Sequence, residues 1–399
     1  MRQSVEIPWG MWQECPLHRL EFPTEWTISV CPMVGAPALA QARIDECLLH
    51  PQGHSWQDVA SGARSACIAV DDLARPTPAS RILPTLCGEL FQAGIARSTI
   101  IIATGCHRPL SRAEMVLKVG EGTLRTNRVI NHNPHCGLED LGRSSRGTPF
   151  QVNEVFCRAD VKIVVGSVTP NYMAGFGGGA KLVLPGLAGC ETTSANHSLT
   201  SGTEAGNLHH SIRADMEELA RKVGVDVAVS CVLNENAEIC DLYAGDVKRT
   251  HEEAVAKALL VYSTPTQGPA DILILNAFPK DSDLTQIKNT FNPMFSTQSR
   301  LIKPGGTIVI LSAAWDGIGF HAIYGNPEEL VREHLRSMVE YAGTHLILYT
   351  PHTDAYDLSS EEGIEVRTRW EEVLSFLRER YGVGAQVRVF PQAALQLCR

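Results

Sequence analysis

The stretch STIIIATGCHRPLSRAEMVLKVG, residues 98–120, decides the fold class. Its opening residues are β-branched and apolar without a break, the pattern of a strand covered on both faces. Thr104-Gly105-Cys106-His107-Arg108-Pro109 then turns the chain. Ser111, with Glu114 three residues later, makes a capping box for the helix that follows. A buried strand feeding a helix through a short polar corner is half of a parallel βαβ unit.

The same grammar recurs along the chain. Apolar strand patterns lie at 66–72, 161–167, 225–233, 270–277, 306–314 and 344–350, and helical patterns at 78–94, 209–224, 249–263 and 326–343. Strands alternating with amphipathic helices predict an α/β protein with parallel-rich sheets flanked by helices. The Pro-, Gly-, Ser- and Thr-rich segment STPTQGPAD, 263–271, predicts a boundary between an N-terminal α/β domain, 1–265, and a C-terminal one, 266–399.

With 44% hydrophobic and 20% charged residues in 399, the composition is that of a globular protein. A net charge of −9 argues against a nucleic-acid or anionic-membrane surface. No apolar run is long enough to span a bilayer and the N-terminus lacks the apolar core of a signal peptide, so a cytoplasmic protein is expected. Twelve cysteines spread singly, without a CxxC pair, suggest reduced thiols.

In open α/β sheets ligands sit beyond the carboxyl ends of strands, and the notable residues fall there. In VDDLARPTP, 70–78, Asp71 and Asp72 cap a helix or bind hydroxyls, and Arg75 either holds a carboxylate or is solvated. His107, at the strand-to-helix corner, is placed to act as a general base. NHNPHC, 131–136, holds His132, His135 and Cys136 but lacks a second ligand pair at zinc spacing, so it reads as a polar loop. GFGGGAKL, 175–182, fails the P-loop pattern because Leu182 follows Lys181 where a hydroxyl belongs. Its glycines permit close backbone approach, and a lysine so placed suits covalent attachment. Gln286 and Lys288, after the 270–277 strand, either reach a ligand or begin a hydrated helix.

Taken in order, DDLARPTP, ATGCHRP, NHNP, GFGGGAKLVLPG, ANHSL and LNAFPKDSDLTQ resemble the nickel-pincer lactate racemase family, over residues 65 to about 320. The resemblance implies a racemase or epimerase of a small 2-hydroxy acid, with a cofactor site in an interdomain cleft. The cofactor would be a nickel-pincer nucleotide, a pyridinium mononucleotide with two sulfur-bearing groups, covalently bound at Lys181 with His197 as the nickel ligand. Soft sulfur with imidazole in a near-planar site suits nickel. His107 matches the family's first catalytic histidine and Arg75 its substrate-carboxylate arginine. Asp72 and Thr104 match positions near the cofactor, and Gly177, Gly178 and Gly179 would let the nucleotide lie against backbone. Gln286 and Lys288 would contact substrate, and cofactor-building enzymes are implied as partners, with no nucleic acid or membrane.

Two positions depart from the family pattern. Asn171 stands where a second catalytic histidine is expected, and an amide orients a hydroxyl without exchanging its proton. Either His107 serves both enantiomers, or Tyr172 or His132 substitutes, or the reaction differs. The alternatives are a hydroxy-acid dehydrogenase or lyase using the same cofactor, and a non-catalytic cofactor-binding protein. Asn289 also stands where a cleft lysine is expected, with Lys288 beside it.

Overall fold

In a computed structural model of the chain, which describes residues 2–199, 205–351, 358 and 363–399, the opening stretch folds as its pattern predicts. Ser98–Ala103 is a strand, and Ser111 caps the helix Arg112–Val119. The capping box is complete: Glu114 N donates to Ser111 Oγ at 3.3 Å, and Ser111 N donates to Glu114 Oε2 at 2.7 Å. Gly120 ends the helix at φ 82°, backbone that other residues rarely adopt.

The chain divides into two compact units. One comprises Ala36–Leu260 with His321–Ile323, and the other Met1–Gly35, Val261–Phe320 and Tyr324–Arg399. The crossing at Leu260 lies close to the expected boundary. The first 35 residues, however, do not belong with the N-terminal domain expected over 1–265. Thr27–Val30 adds as an edge strand beside Gln386–Phe390, and a four-residue strand carries too little pattern to announce its partner.

In the first unit, six strands lie in the order Ile239–Gly245, Val227–Leu233, Val161–Ser167, Ala66–Asp71, Ser98–Ala103, Arg128–Asn131. All neighbours are parallel except the edge strand Ile239–Gly245, which returns antiparallel. From Ala66–Asp71 the chain first moves one way across the sheet, then returns to place Val161–Ser167 on its other side. That reversal makes a topological switch point at the carboxyl ends of these two strands. Thr77 bridges them: its hydroxyl donates to Asp71 Oδ2 at 2.5 Å and accepts from Ser167 N at 2.8 Å. Beneath the loops, Ile101, Val164, Phe150, Phe156, Leu182, Leu187 and Met216 form a buried core on one face. At about 25 cal/mol per Å² of apolar surface, such burial is the main force holding the loops' scaffold.

The second unit holds a six-stranded, all-parallel sheet, in the order Ile364–Arg367, His345–Tyr349, Ile302–Leu311, Ala270–Asn276, Gln386–Phe390, Thr27–Val30. Hydrophobic clusters cover both faces, around Ile287, Phe291 and Leu335 on one side and Trp26, Trp370 and Leu377 on the other. Among the described residues, no helix is long and apolar enough to cross a membrane. None of the twelve cysteines is joined in a disulfide.

Candidate active site

The switch-point loops of the first unit gather most of the residues singled out from the sequence. Asp72 follows directly on Ala66–Asp71, is 4% exposed, and sets Oδ2 2.6 Å from His107 Nδ1. Burial pushes the Asp72 carboxyl up, but the charges of His107, Arg75 and Lys118 outweigh it and hold the group below its usual range. Asp72 is therefore ionised, and its Oδ2 holds the Nδ1 edge of His107, which turns the Nε2 edge away from the carboxylate. His107 is fixed by its backbone as well, since His107 N donates to Thr104 O at 3.0 Å. Thr104 is buried, and Gly105 adopts φ 56° so that its N–H meets Gly186 O at 2.9 Å.

Lys118 holds the Asp72–Arg75 loop from below. Fully buried, its Nζ donates to Asp72 O at 2.8 Å and Arg75 O at 2.9 Å and pairs with Asp71 Oδ1 at 2.6 Å. Sequence reasoning passed over this lysine because AEMVLKV scans as an ordinary amphipathic helix. The signal was present: Lys118 is adjacent to the buried Val119 in the helix's last turn.

Lys181 lies in the short 3-10 helix Gly179–Leu182. Its amine is pushed down to about 7, first by burial, then by the charges of Arg75 and Arg213, against the pull of Asp72. At neutral pH much of it is unprotonated and nucleophilic. His197 ends the helix Cys190–His197. Burial, then Lys181 and His107, drive its ring to about 3, so it is neutral. Its Nδ1 is buried and has no hydrogen-bond partner among the described residues.

The glycines have a nearer cause than a ligand. A Cβ on Gly178 would stand 3.0 Å from Val168 Cγ2 and 3.1 Å from Ser167 O, and one on Gly179 2.9 Å from His251 Cδ2. On Gly177 it would meet Ser167 O at 3.2 Å. The loop thus lies against its own strand exit and against the helix Val247–Val261, where the buried His251 Nε2 donates to Gly177 O at 2.8 Å. The close approach expected at these glycines is met by protein.

Asn171 is buried, and its Oδ1 accepts from Met173 N at 3.2 Å and Ala174 N at 2.9 Å. Its carbonyl oxygen forms an Asx-type turn, which fixes the side chain's orientation. His132 is equally committed: Nε2 contacts Ala188 O at 3.0 Å, Nδ1 contacts Asn153 Nδ2 at 3.2 Å, and burial lowers its pKa to about 4. It ties the core and is no substitute base. Among the described residues, no group of three or more His, Cys, Asp or Glu side chains is placed to hold a metal ion.

Gln286 and Lys288 belong to the second unit, on the 3-10 helix Leu284–Phe291. Gln286 is buried and donates through Nε2 to Thr285 Oγ1 at 3.3 Å, and burial lowers the Lys288 amine. Asn289 Nδ2 donates to Gln286 O at 2.9 Å. Neither Gln286 nor Lys288 is among the residues of the first unit's cluster.

One histidine went unnoticed in the sequence. The segment His321–Ile323 packs with the first unit, where Ala322 N donates to Cys106 O at 2.7 Å. The His321 and His107 rings are 5.3 Å apart, edge to face at 72°.

Residues 17–208 match the lactate racemase N-terminal domain family. The chain is similar to a lactate racemase of Lactiplantibacillus plantarum, 28% identical over 382 residues that cover 88% of this chain and 89% of that one. A lactate racemase of Thermoanaerobacterium thermosaccharolyticum is 28% identical over 279 residues, 67% of this chain and 64% of that one. Among solved structures, the lactate racemase apoprotein of the latter organism matches at a TM-score of 0.78 and 23% identity, covering 100% of both chains. A protein from Thermotoga maritima matches at 0.67 and 16%, covering 92% of this chain and 99% of that one. The two structural matches are likenesses of fold.

Proposed function

We propose that the chain is a lactate-racemase-like enzyme, a reading supported by the match of residues 17–208 to the lactate racemase N-terminal domain and by the similarity to lactate racemases along the chain. It is an isomerase that inverts the carbinol carbon of a small 2-hydroxy acid. The observation that carries this proposal is the buried Asp72–His107 pair at the switch point, in the same loop cluster as Arg75 and the low-pKa Lys181. Asp72 fixes the tautomer and orientation of His107, whose Nε2 takes the substrate's hydroxyl proton. Arg75 offers a planar donor fork suited to the substrate carboxylate.

A lysine-tethered nickel-pincer nucleotide fits the residues present. Lys181 supplies an amine that is nucleophilic near pH 7, and His197 a neutral ring nitrogen with no competing hydrogen bond among the described residues. Lys181 would hold the organic group and His197 the nickel. When bound, that group would supply a reversible hydride acceptor, and so avoid a carbanion beside a carboxylate. Enzymes that build the cofactor are then required partners.

The commitment of Asn171 to a turn favours one alternative, a one-way hydroxy-acid dehydrogenase with a single base. Chiral chromatography of single-enantiomer lactate, malate and mandelate incubated with loaded protein separates the two. The racemase yields the opposite enantiomer with 2-oxo acid never above the enzyme concentration, and His107→Ala slows inversion about 10²-fold or more. With an added electron acceptor such as dichlorophenolindophenol, oxo acid accumulating above the enzyme concentration as the dye is reduced, without inversion, selects the dehydrogenase, and unchanged turnover in His107→Ala removes His107 as the base.

A further inference from the structure

We infer that His321 is the second proton-transfer residue of the site, serving the enantiomer whose hydroxyl His107 does not reach; this rests on the racemase reading above. Inversion at a carbon whose carboxylate stays anchored exchanges the positions of hydroxyl and side chain. A single base at one position is then poorly placed for one of the two hands, and two bases side by side meet both. Asn171 is an amide and exchanges no proton, and both ring nitrogens of His132 are engaged in the core. His321 is the histidine brought against His107, with ring centroids 5.3 Å apart.

Its placement is built, not incidental to a surface loop. The hydrogen bond from Ala322 N to Cys106 O, 2.7 Å, pins the residue next to His321 onto the residue next to His107. His321 also shares the electrostatic field of the site: burial first, and then its nearness to the other titratable and cationic groups of the cluster, His107 foremost, lowers its pKa. The ring is accordingly a neutral acceptor, and an arriving carboxylate offsets the positive field and raises its basicity.

The proton balance is closed. From one enantiomer, the hydroxyl proton passes to the ring nitrogen of one histidine; the cofactor of the racemase reading, when bound, would supply the acceptor for the carbinol hydrogen and its electron pair. For the 2-oxo acid to be reduced on its other face, the second histidine would have to take a proton from solvent and give it to the oxygen. The first histidine releases its proton to solvent, so no net oxidant is consumed.

For a racemase the equilibrium constant is unity, so steady-state kcat/KM is equal in both directions even in a one-base variant. The half-reaction is the informative readout. Loaded wild type, His321→Gln and His107→Gln are each mixed with one hand of lactate, malate or mandelate, and the 2-oxo acid is trapped with phenylhydrazine in a single turnover. His321→Gln is expected to lose about 10²-fold in oxo-acid formation from one hand and little from the other, with His107→Gln showing the reverse preference. An equal effect on both hands, or none, overturns the role of His321 and leaves the racemase reading standing. Wild type that oxidises neither hand of any acid overturns the racemase reading itself. His321→Asn, with melting temperature checked beside wild type, repeats the test if the glutamine variant folds poorly.

Discussion

Asp72 Oδ2 and His107 Nδ1, from the ends of two neighbouring strands, lie 2.6 Å apart with the carboxylate almost wholly out of solvent. The register of two parallel strands therefore sets the orientation of the proposed base. Asp72→Asn preserves shape but removes the acceptor that fixes the Nδ1–H tautomer. Inversion of the substrate is expected to fall about 10²-fold or more, with little change in melting temperature. Full activity in that variant would show that His107 needs no partner.

Lys118 is expected to matter more for folding than for chemistry. Lys118→Met leaves Asp71 buried without its cation and frees the Asp72–Arg75 carbonyls. Removing one member of a buried pair costs about 3–5 kcal/mol. Urea unfolding of the unloaded protein should show a loss of that order, and a loss under about 1 kcal/mol would mean that water replaces the ammonium readily.

Lys181 gives a pH signature with a definite sign. Its amine titrates near 7 in the folded protein against an ordinary 10.5, so between these values the unfolded chain binds the extra proton. Stability then rises with pH across that window, and the burial penalty is complete below about pH 7. Lys181→Met should raise the melting temperature of unloaded protein at pH 6, by an amount that narrows toward pH 9. A difference that does not change with pH would place the amine near its ordinary value.

Gly175 is the least replaceable glycine of the loop. It sits at φ 71°, and a Cβ there would fall 1.8 Å from Asn207 O, which is backbone and cannot swing aside. Gly175→Ala is expected to destabilise by at least about 1–3 kcal/mol from the backbone conformation alone. Gly224→Ala, also at positive φ but with open space around its Cβ, is the comparison that separates strain from collision. Equal losses in the two would remove the collision.

How much could be read beforehand follows from range along the chain. The strands Ser98–Ala103 and Ala270–Asn276 and the Ser111 cap are local patterns, and they were legible. So was the corner carrying His107. The allegiance of Thr27–Val30 was not, because pairing with Gln386–Phe390 joins residues more than 350 apart. His321 was hidden for the same reason, lying in a glycine-rich, largely apolar loop more than 200 residues from its ring partner. Asn171 shows the opposite case: the substitution was visible in the sequence, but its Asx turn only in coordinates. The glycines were expected to admit a ligand against the backbone, whereas the atoms that crowd Gly177, Gly178 and Gly179 belong to Ser167, Val168 and His251, which only the fold brings there.

The central claim is that Lys181 carries the group through which the His107 site works. It is tested most directly by intact-protein mass spectrometry with nickel analysis, on wild type and Lys181→Ala made in a host that builds the cofactor. A mass increment of nucleotide size in wild type, absent from Lys181→Ala, with about one nickel per chain, is the predicted result. An unmodified, nickel-free wild-type chain, or an increment that persists in Lys181→Ala, would contradict it.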